Sequence, residues 1–345
     1  MPTQSPQTNR LLVPTTLPGV LTHTPLPDGV HPSTAPNELL QQHGFPMRPD
    51  PRKNPRAAKL WRLAMSRFRR HIIPELRINH NVAHGTSRGR TAADTNNSIW
   101  SGKLLQTGGP FIEIWGSWTI PLVQPSLLQS TPGPPGPFSA PLPWKSAIWV
   151  GIDGWNTDTV FQAGTEQDVR VADPEFGTLG WNTYAWFEWF SDKSNNGEIQ
   201  LMNFPVNPGD SVLVYLVRVG VDDQGMPSGQ ASFLNLTGGA YTSVIFSKPN
   251  DGSVFQGNCA EWIVERPSNV VSPNNLVPAD LADFGAVTIS SANAKGPNGI
   301  VKSDSGTSLN MFDPKQAELP ILSETEDEPT VHCVFGSDIN QTPSP

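Results

Sequence analysis

Cysteine is nearly absent: 345 residues contain only Cys259 and Cys333. One bridge is the most that this allows, so a disulfide framework and a CxxC metal site are both excluded. Histidine is scarce where it would matter most. The seven are His23, His31, His43, His71, His80, His84 and His332, and none falls between residues 96 and 331. On composition, that stretch cannot build a Ser-His-Asp or Cys-His centre or a histidine zinc site, and no metal site is expected. G-x-S-x-G, P-loop and G-x-G-x-x-G patterns are missing. A single Asp-Ser-Gly, Asp304–Gly306, stands alone after a polar stretch. Long apolar runs are missing too. "LLVPTTLPGVL" near the N-terminus is cut by prolines and reads neither as an ordinary signal peptide nor as a membrane span. Chemistry in residues 96–331 must therefore run on carboxylates, amides and hydroxyls, without a cofactor.

What the chain does have is proline, 36 residues, and a lopsided charge within a net of −8. Residues 1–95 carry 13 Lys/Arg against 5 Asp/Glu, and the remainder is strongly acidic. An acidic body argues against nucleic acid as its partner. Three regions follow. Residues 1–95 read as a Pro-rich, mostly disordered basic extension, with one helix over Arg56–Arg70 in which Leu60, Leu63, Ala64 and Phe68 share helical spacing. That helix fits a solvated basic helix, a pro-segment able to lie over the acidic body, or a membrane-surface helix. Residues 96–313 hold short β-branched and aromatic runs ("FIEIWGSWTI", "SAIWVGID", "TYAWFEWF", "SVLVYLVRV", "CAEWIVE") separated by Gly, Pro, Asn and Asp. This is an all-β pattern, a sandwich or barrel, with a long Pro/Gly loop at Pro125–Trp144. Residues 314–345 read as an acidic disordered tail.

Alternation along a strand sorts the side chains. In "CAEWIVE", Glu261, Ile263 and Glu265 share one face, and Ala260, Trp262 and Val264 the other. In "TYAWFEWF", Tyr184, Trp186, Glu188 and Phe190 oppose Ala185, Phe187 and Trp189. The purely apolar face is core. The face mixing acids with aromatics suits a cleft that grips an extended ligand. A carboxylate such as Glu261 inside a buried run costs several kcal/mol unless something compensates.

These segments, in order, resemble the glutamic endopeptidases (eqolisins). The likeness runs through residues 97–292: "NSIWSG", "WVGIDG", "VFQAG", "YAWFEWF", "PGDSV", "NLT", "CAEWIVE" and "FGAVTISSA". The resemblance implies a two-sheet antiparallel β-sandwich of the concanavalin/lectin-like kind and an acid-acting endopeptidase with a Gln/Glu pair. Carried over by position, the catalytic residues are Gln162 and Glu261. Trp100, Trp149, Asp153, Trp186 and Glu188 fall on family cleft or support positions. Tyr184 and Phe190 belong to the same substrate-binding face, although the family commonly has Asp and Tyr there. The family cysteine after the GIDG turn is missing, which leaves Cys259 without its bridge partner. The implied partner is a polypeptide substrate, the expected state a monomer, and the family is mostly secreted. The expected chemistry is insensitive to chelators. The competing expectation is a non-catalytic carbohydrate- or peptide-binding sandwich derived from the same fold.

Overall fold

The computed structural model describes residues 10–85, 96–97, 99–126, 142–173, 178–194, 196–272, 275–311, 321–323 and 329–335. Two large, mainly antiparallel sheets form the architecture. The front sheet contains β1 (Leu76–Asn79), β2 (Trp100–Leu105), β3 (Trp144–Asp153), β4 (Thr159–Asp173), β5 (Thr178–Ser191), β6 (Glu198–Leu201), β7 (Ala260–Glu265) and β8 (Thr307–Met311). Its spatial order is β1-β6-β5-β4-β3-β7-β2-β8. The back sheet is built around Glu113–Thr119, Ser211–Val221, Pro227–Asn235, Ala240–Ser247 and Ala286–Gly296.

The core between the sheets takes Ala260, Trp262 and Val264 from β7 and Ala185, Phe187 and Trp189 from β5. They meet Phe161, Trp118, Phe233 and Phe246. Phe161 stacks on Trp189 with ring centroids 4.7 Å apart. Full burial of such a side chain contributes roughly 1.5–3 kcal/mol. A one-residue slip of β7 would exchange Trp262 for Glu261 in the core, so the register is strongly held. The opposite face of the front sheet gathers Trp100, Trp149, Trp155, Val160, Tyr184, Trp186, Phe190, Cys259 and Ile263 into a second buried cluster. The alternation read from sequence is therefore the one the fold uses.

Three expectations need correction. Residues 10–55 are not a disordered lead. Strands Leu12–Pro14 and Leu21–His23 join the back sheet, and helix Asn37–Gln42 follows. Leu26, Ala35, Leu40 and Phe45 bury against Leu213, Leu234 and Tyr241, with Phe45 stacked on Tyr241 at 4.1 Å. Proline-rich composition hid an apolar set large enough to offset the ordering entropy. The basic helix spans Pro55–Arg67, with Asn54 Oδ1 accepting the Ala57 N–H at its start. Its buried face is Ala58, Trp61, Ala64 and Met65, while Leu63 is 56% exposed. This helix packs with Leu213, Leu234 and Tyr241 of the back sheet, so it does not lie over the acidic front face. The region from 314 is not a tail throughout. Val331–Val334 pairs with Ala286–Gly296, and Val331, Cys333 and Phe335 enter the core. Cys333 and Cys259 are both buried and free, in different clusters. Most of the Pro125–Trp144 loop lies outside the described residues, and no described helix is long and apolar enough to cross a membrane.

Candidate active site

Partnered residues on neighbouring strands point to the same face, so register alone lays out the site. Glu188 of β5 pairs with Gln162 of β4, Gln162 with Gly151 of β3, and Gly151 with Glu261 of β7. Gln162 and Glu261 are thus two strand spacings apart, about 9.5 Å at the backbone, with a glycine between. A Cβ on Gly151 would stand 2.7 Å from the Trp149 ring, so glycine lets that indole pack on the strand between Gln162 and Glu261. Two residues along lies the row Trp186, Gly164, Trp149, Ile263, and two further the row Tyr184, Glu166, Ala147, Glu265, Trp100.

Gln162 donates Nε2–H to Glu188 Oε2 at 3.1 Å, while its Oε1 has no partner. Glu261 Oε1 accepts from the Cys259 thiol at 3.4 Å, and its Oε2 has no partner. Both side chains are 0% exposed. Burial pushes the Glu261 carboxyl well above the ordinary range, and the thiol hydrogen bond offsets only part of this. Burial likewise pushes Glu188 up to about 8, against the pull of the His84 charge and the Gln162 amide. Gly154, at φ 116°, lets the turn after β3 pass Glu261, since a Cβ there would lie 3.0 Å from Oε2.

Asp153 acts on the frame. It sits at φ 65°, and its two oxygens accept the Gln256 N–H at 2.6 Å and the Asn258 N–H at 2.9 Å. That fastens the loop leading into Cys259 and β7. Trp149 donates its indole N–H to Glu265 Oε2 at 2.7 Å, and Trp100 meets Trp149 edge-on at 5.2 Å. Tyr184 donates its hydroxyl to Glu198 Oε1 at 2.8 Å, and Phe190 joins the aromatic wall. All nine residues singled out from sequence reach the same cluster or its edge.

In this arrangement a neutral amide and a carboxyl flank a glycine covered by the Trp149 ring and Val160, on the mixed face of a sandwich. The Peptidase A4 family profile matches residues 98–334, more than half of the chain. The chain belongs to the peptidase A4 family. Scytalidopepsin B of Scytalidium lignicola is 33% identical over 119 residues, 34% of this chain and 38% of that protein. The match to this curated relative thus spans well under half of its length. Among solved structures, scytalido-glutamic peptidase with a transition state analog inhibitor aligns at TM-score 0.52 and 22% identity. The same peptidase with a peptide-based transition state analog aligns at 0.50 and 23%. Each comparison covers 69% of this chain and 98% of the other. At these identities the likeness is one of fold.

The A4 body holds a group that sequence reasoning left out. His84 comes from the N-terminal region, stacks on Trp186 at 3.8 Å and 9°, and is buried. Its Nδ1 is 2.8 Å from Glu265 Oε2, and its Nε2 is 3.1 Å from Glu198 Oε2. Burial alone would lower the imidazole. The charges of Glu265 and Glu198 and their hydrogen bonds outweigh it and hold His84 well above its ordinary value. Glu166 stands 3.9 Å from Nε2 and accepts from Lys145 Nζ at 2.7 Å. The exclusion of histidine from the body thus fails, because β1 joins the front sheet and Val82–Ala83 pairs with Ser268–Asn269 in a small third sheet, which carries His84 to the front face. Glu166 shares the period-2 face of Gln162 and was open to prediction. Nothing local in the sequence marks Glu198 or His84.

Proposed function

We propose that this A4 protein is an acid-acting endopeptidase in which Glu261 is the general base and Gln162 the amide that stabilises the oxyanion. The observation that carries the reading is the in-register pair across Gly151, each member with one buried oxygen lacking a partner. A water between them would be held by Gln162 and would surrender its proton to Glu261 as it attacks the scissile carbonyl. Glu261 then passes that proton to the leaving amine. Gln162 suits its role because an amide is neutral, keeps its N–H donors in acid, and adds no charge to the gap. The family membership and the likeness to scytalidopepsin B support the same chemistry.

The full chain is latent in this reading. No polypeptide reaches a pair that is 0% exposed, and a Glu261 kept protonated by burial cannot act as a base. Opening the front face to water returns Glu261 toward an ordinary carboxyl, ionised above roughly pH 4–5. Residues 76–85, which pair with β6 and stack His84 on Trp186, would be the segment whose release opens it. The region expected to be cut, Arg88–Asn96, lies almost wholly outside the described residues. The same closed pair also fits a non-catalytic binding sandwich, and one experiment separates the two. The full chain, before and after limited proteolysis aimed at the segment between residues 86 and 95, is held across about pH 3–6 with a denatured protein substrate, and fragments are followed beside Glu261→Gln and Gln162→Ala variants. Cleavage by the parent and none by Glu261→Gln supports the peptidase. Undiminished cleavage by Glu261→Gln refutes the pair, and no cleavage at any pH by the parent even after the proteolysis step leaves the binding sandwich.

A further inference from the structure

We propose that His84, Glu166 and Glu198 form a buried binding site for a divalent transition ion, zinc by its chemistry, which staples residues 76–85 onto the peptidase body. The three residues each offer a ligand atom, and these atoms lie within 4.8 Å of one another. His84 Nε2 is 3.1 Å from Glu198 Oε2 and 3.9 Å from Glu166 Oε2. A tetrahedral zinc site with bonds of about 2.0–2.1 Å has ligand separations of about 3.3–3.4 Å. The group needs only a modest inward shift of its widest edge.

The hydrogen bonds around the three residues decide the assignment. Each ligand has its other polar atom engaged elsewhere. His84 Nδ1 lies 2.8 Å from Glu265 Oε2, the carboxylate–histidine arrangement that orients a metal-bound imidazole. Glu198 Oε1 accepts from Asn79 at 2.7 Å, Tyr184 at 2.8 Å and Gln200 at 3.0 Å. Glu166 Oε1 accepts from Lys145 at 2.7 Å. What is left facing inward is Nε2 and one oxygen from each glutamate. Glu166 Oε2 is fully buried and has no hydrogen-bond partner. An imidazolium proton on Nε2 serves Glu198 and leaves that oxygen without a partner, which is unfavourable for any buried polar atom. A dication at the centre serves all three.

Charge points the same way. Glu166, Glu198, Glu265 and Asp168 carry four formal negative charges around Lys145 and one imidazole. Zinc in place of the Nε2 proton lowers the excess negative charge of the set and releases that proton to solvent. An imidazole with two carboxylates suits zinc better than calcium or magnesium, which favour all-oxygen shells. Trp186, stacked flat on the imidazole, fixes the ring plane. Glu166 and Glu198 belong to β4 and β6, whereas His84 follows β1, so the ion would tie the N-terminal region to the front sheet. The proposal does not depend on the Gln162/Glu261 chemistry.

The test uses the full chain produced with supplemented zinc, read by metal analysis, by thermal unfolding with and without zinc, and by X-ray absorption at the zinc edge. The expected result is about one zinc per chain with one nitrogen and two carboxylate ligands, and a melting temperature that rises with added zinc. Glu166→Gln keeps size and Lys145 contact but weakens the ligand, so zinc affinity should fall at least tenfold. Glu265→Gln should cost about 10–100-fold through the ring it orients. Should a variant not fold, cobalt(II) substitution in the parent gives a visible spectrum that reports tetrahedral coordination. Three outcomes overturn the proposal. These are a parent chain that neither retains zinc nor changes its melting temperature, zinc binding undiminished in Glu166→Gln, and an ion lost on His71→Ala, which would place it near His23 and His43.

Discussion

Glu188 is the residue on which the burial argument is most sharply exposed. The unfolded chain ionises it near 4.5, whereas burial in the fold pushes it up to about 8. Its folded value is raised, so the stability it supports is fully present below about pH 4.5 and is lost as pH climbs toward 8. Each pH unit in that window costs about 1.4 kcal/mol. Between pH 4.5 and pH 7 the loss assigned to this one carboxyl is thus about 3 kcal/mol, an upper figure if the site relaxes. Glu188→Gln removes the titrating group and keeps an acceptor for the Gln162 amide, which now donates at 3.1 Å. Urea unfolding of the full chain at pH 4.5 and at pH 7, parent beside variant, measures the effect. The parent should lose markedly more stability over that interval than the variant, by about 2–3 kcal/mol. Equal losses in the two proteins would show that Glu188 is ionised in the folded chain, and the closed, low-dielectric front face would be wrong.

Three further outcomes are expected. Gly151→Ala forces a methyl to 2.7 Å from the Trp149 ring, so it should cost about 1–3 kcal/mol by overpacking and abolish any acid-dependent cleavage; a fully active, equally stable variant contradicts the close packing of Trp149 on this strand. Phe45→Ala removes the ring stacked on Tyr241 and should destabilise the chain by about 3–5 kcal/mol, with limited proteolysis starting within residues 10–55; an unchanged digestion pattern would mean that this region is held by other contacts. Neither thiol should react with an aromatic disulfide reagent in the native chain at neutral pH, because both are buried and burial raises both, and both should react once the chain is unfolded; one rapid native thiol would place Cys259 or Cys333 at the surface.

The legible part of this protein was local. Period-2 alternation put Glu261, Ile263 and Glu265 on one face and Ala260, Trp262 and Val264 on the other, and the sheets keep that division. It did the same for Trp186 and Glu188 against Phe187 and Trp189. The apolar set of the first 55 residues was misjudged, because proline content says little about whether Leu40 and Phe45 find a surface to cover. The helix was found but rotated: Trp61 and Met65, not Leu63, meet the body, and a helix chooses its buried stripe by what it packs on.

A chain's own sequence settles which side chains alternate, where strands break and which residue types are available for chemistry, since these depend on neighbours along the backbone. Tertiary structure alone decided that Gln162, Gly151 and Glu261 fall in one row, since pairing register is a choice among distant strands. It alone brought His84 to Glu198 and Glu265 across 114 and 181 positions of chain. Burial of that charge is tolerable only where three carboxylates already wait, and no local pattern records such a meeting.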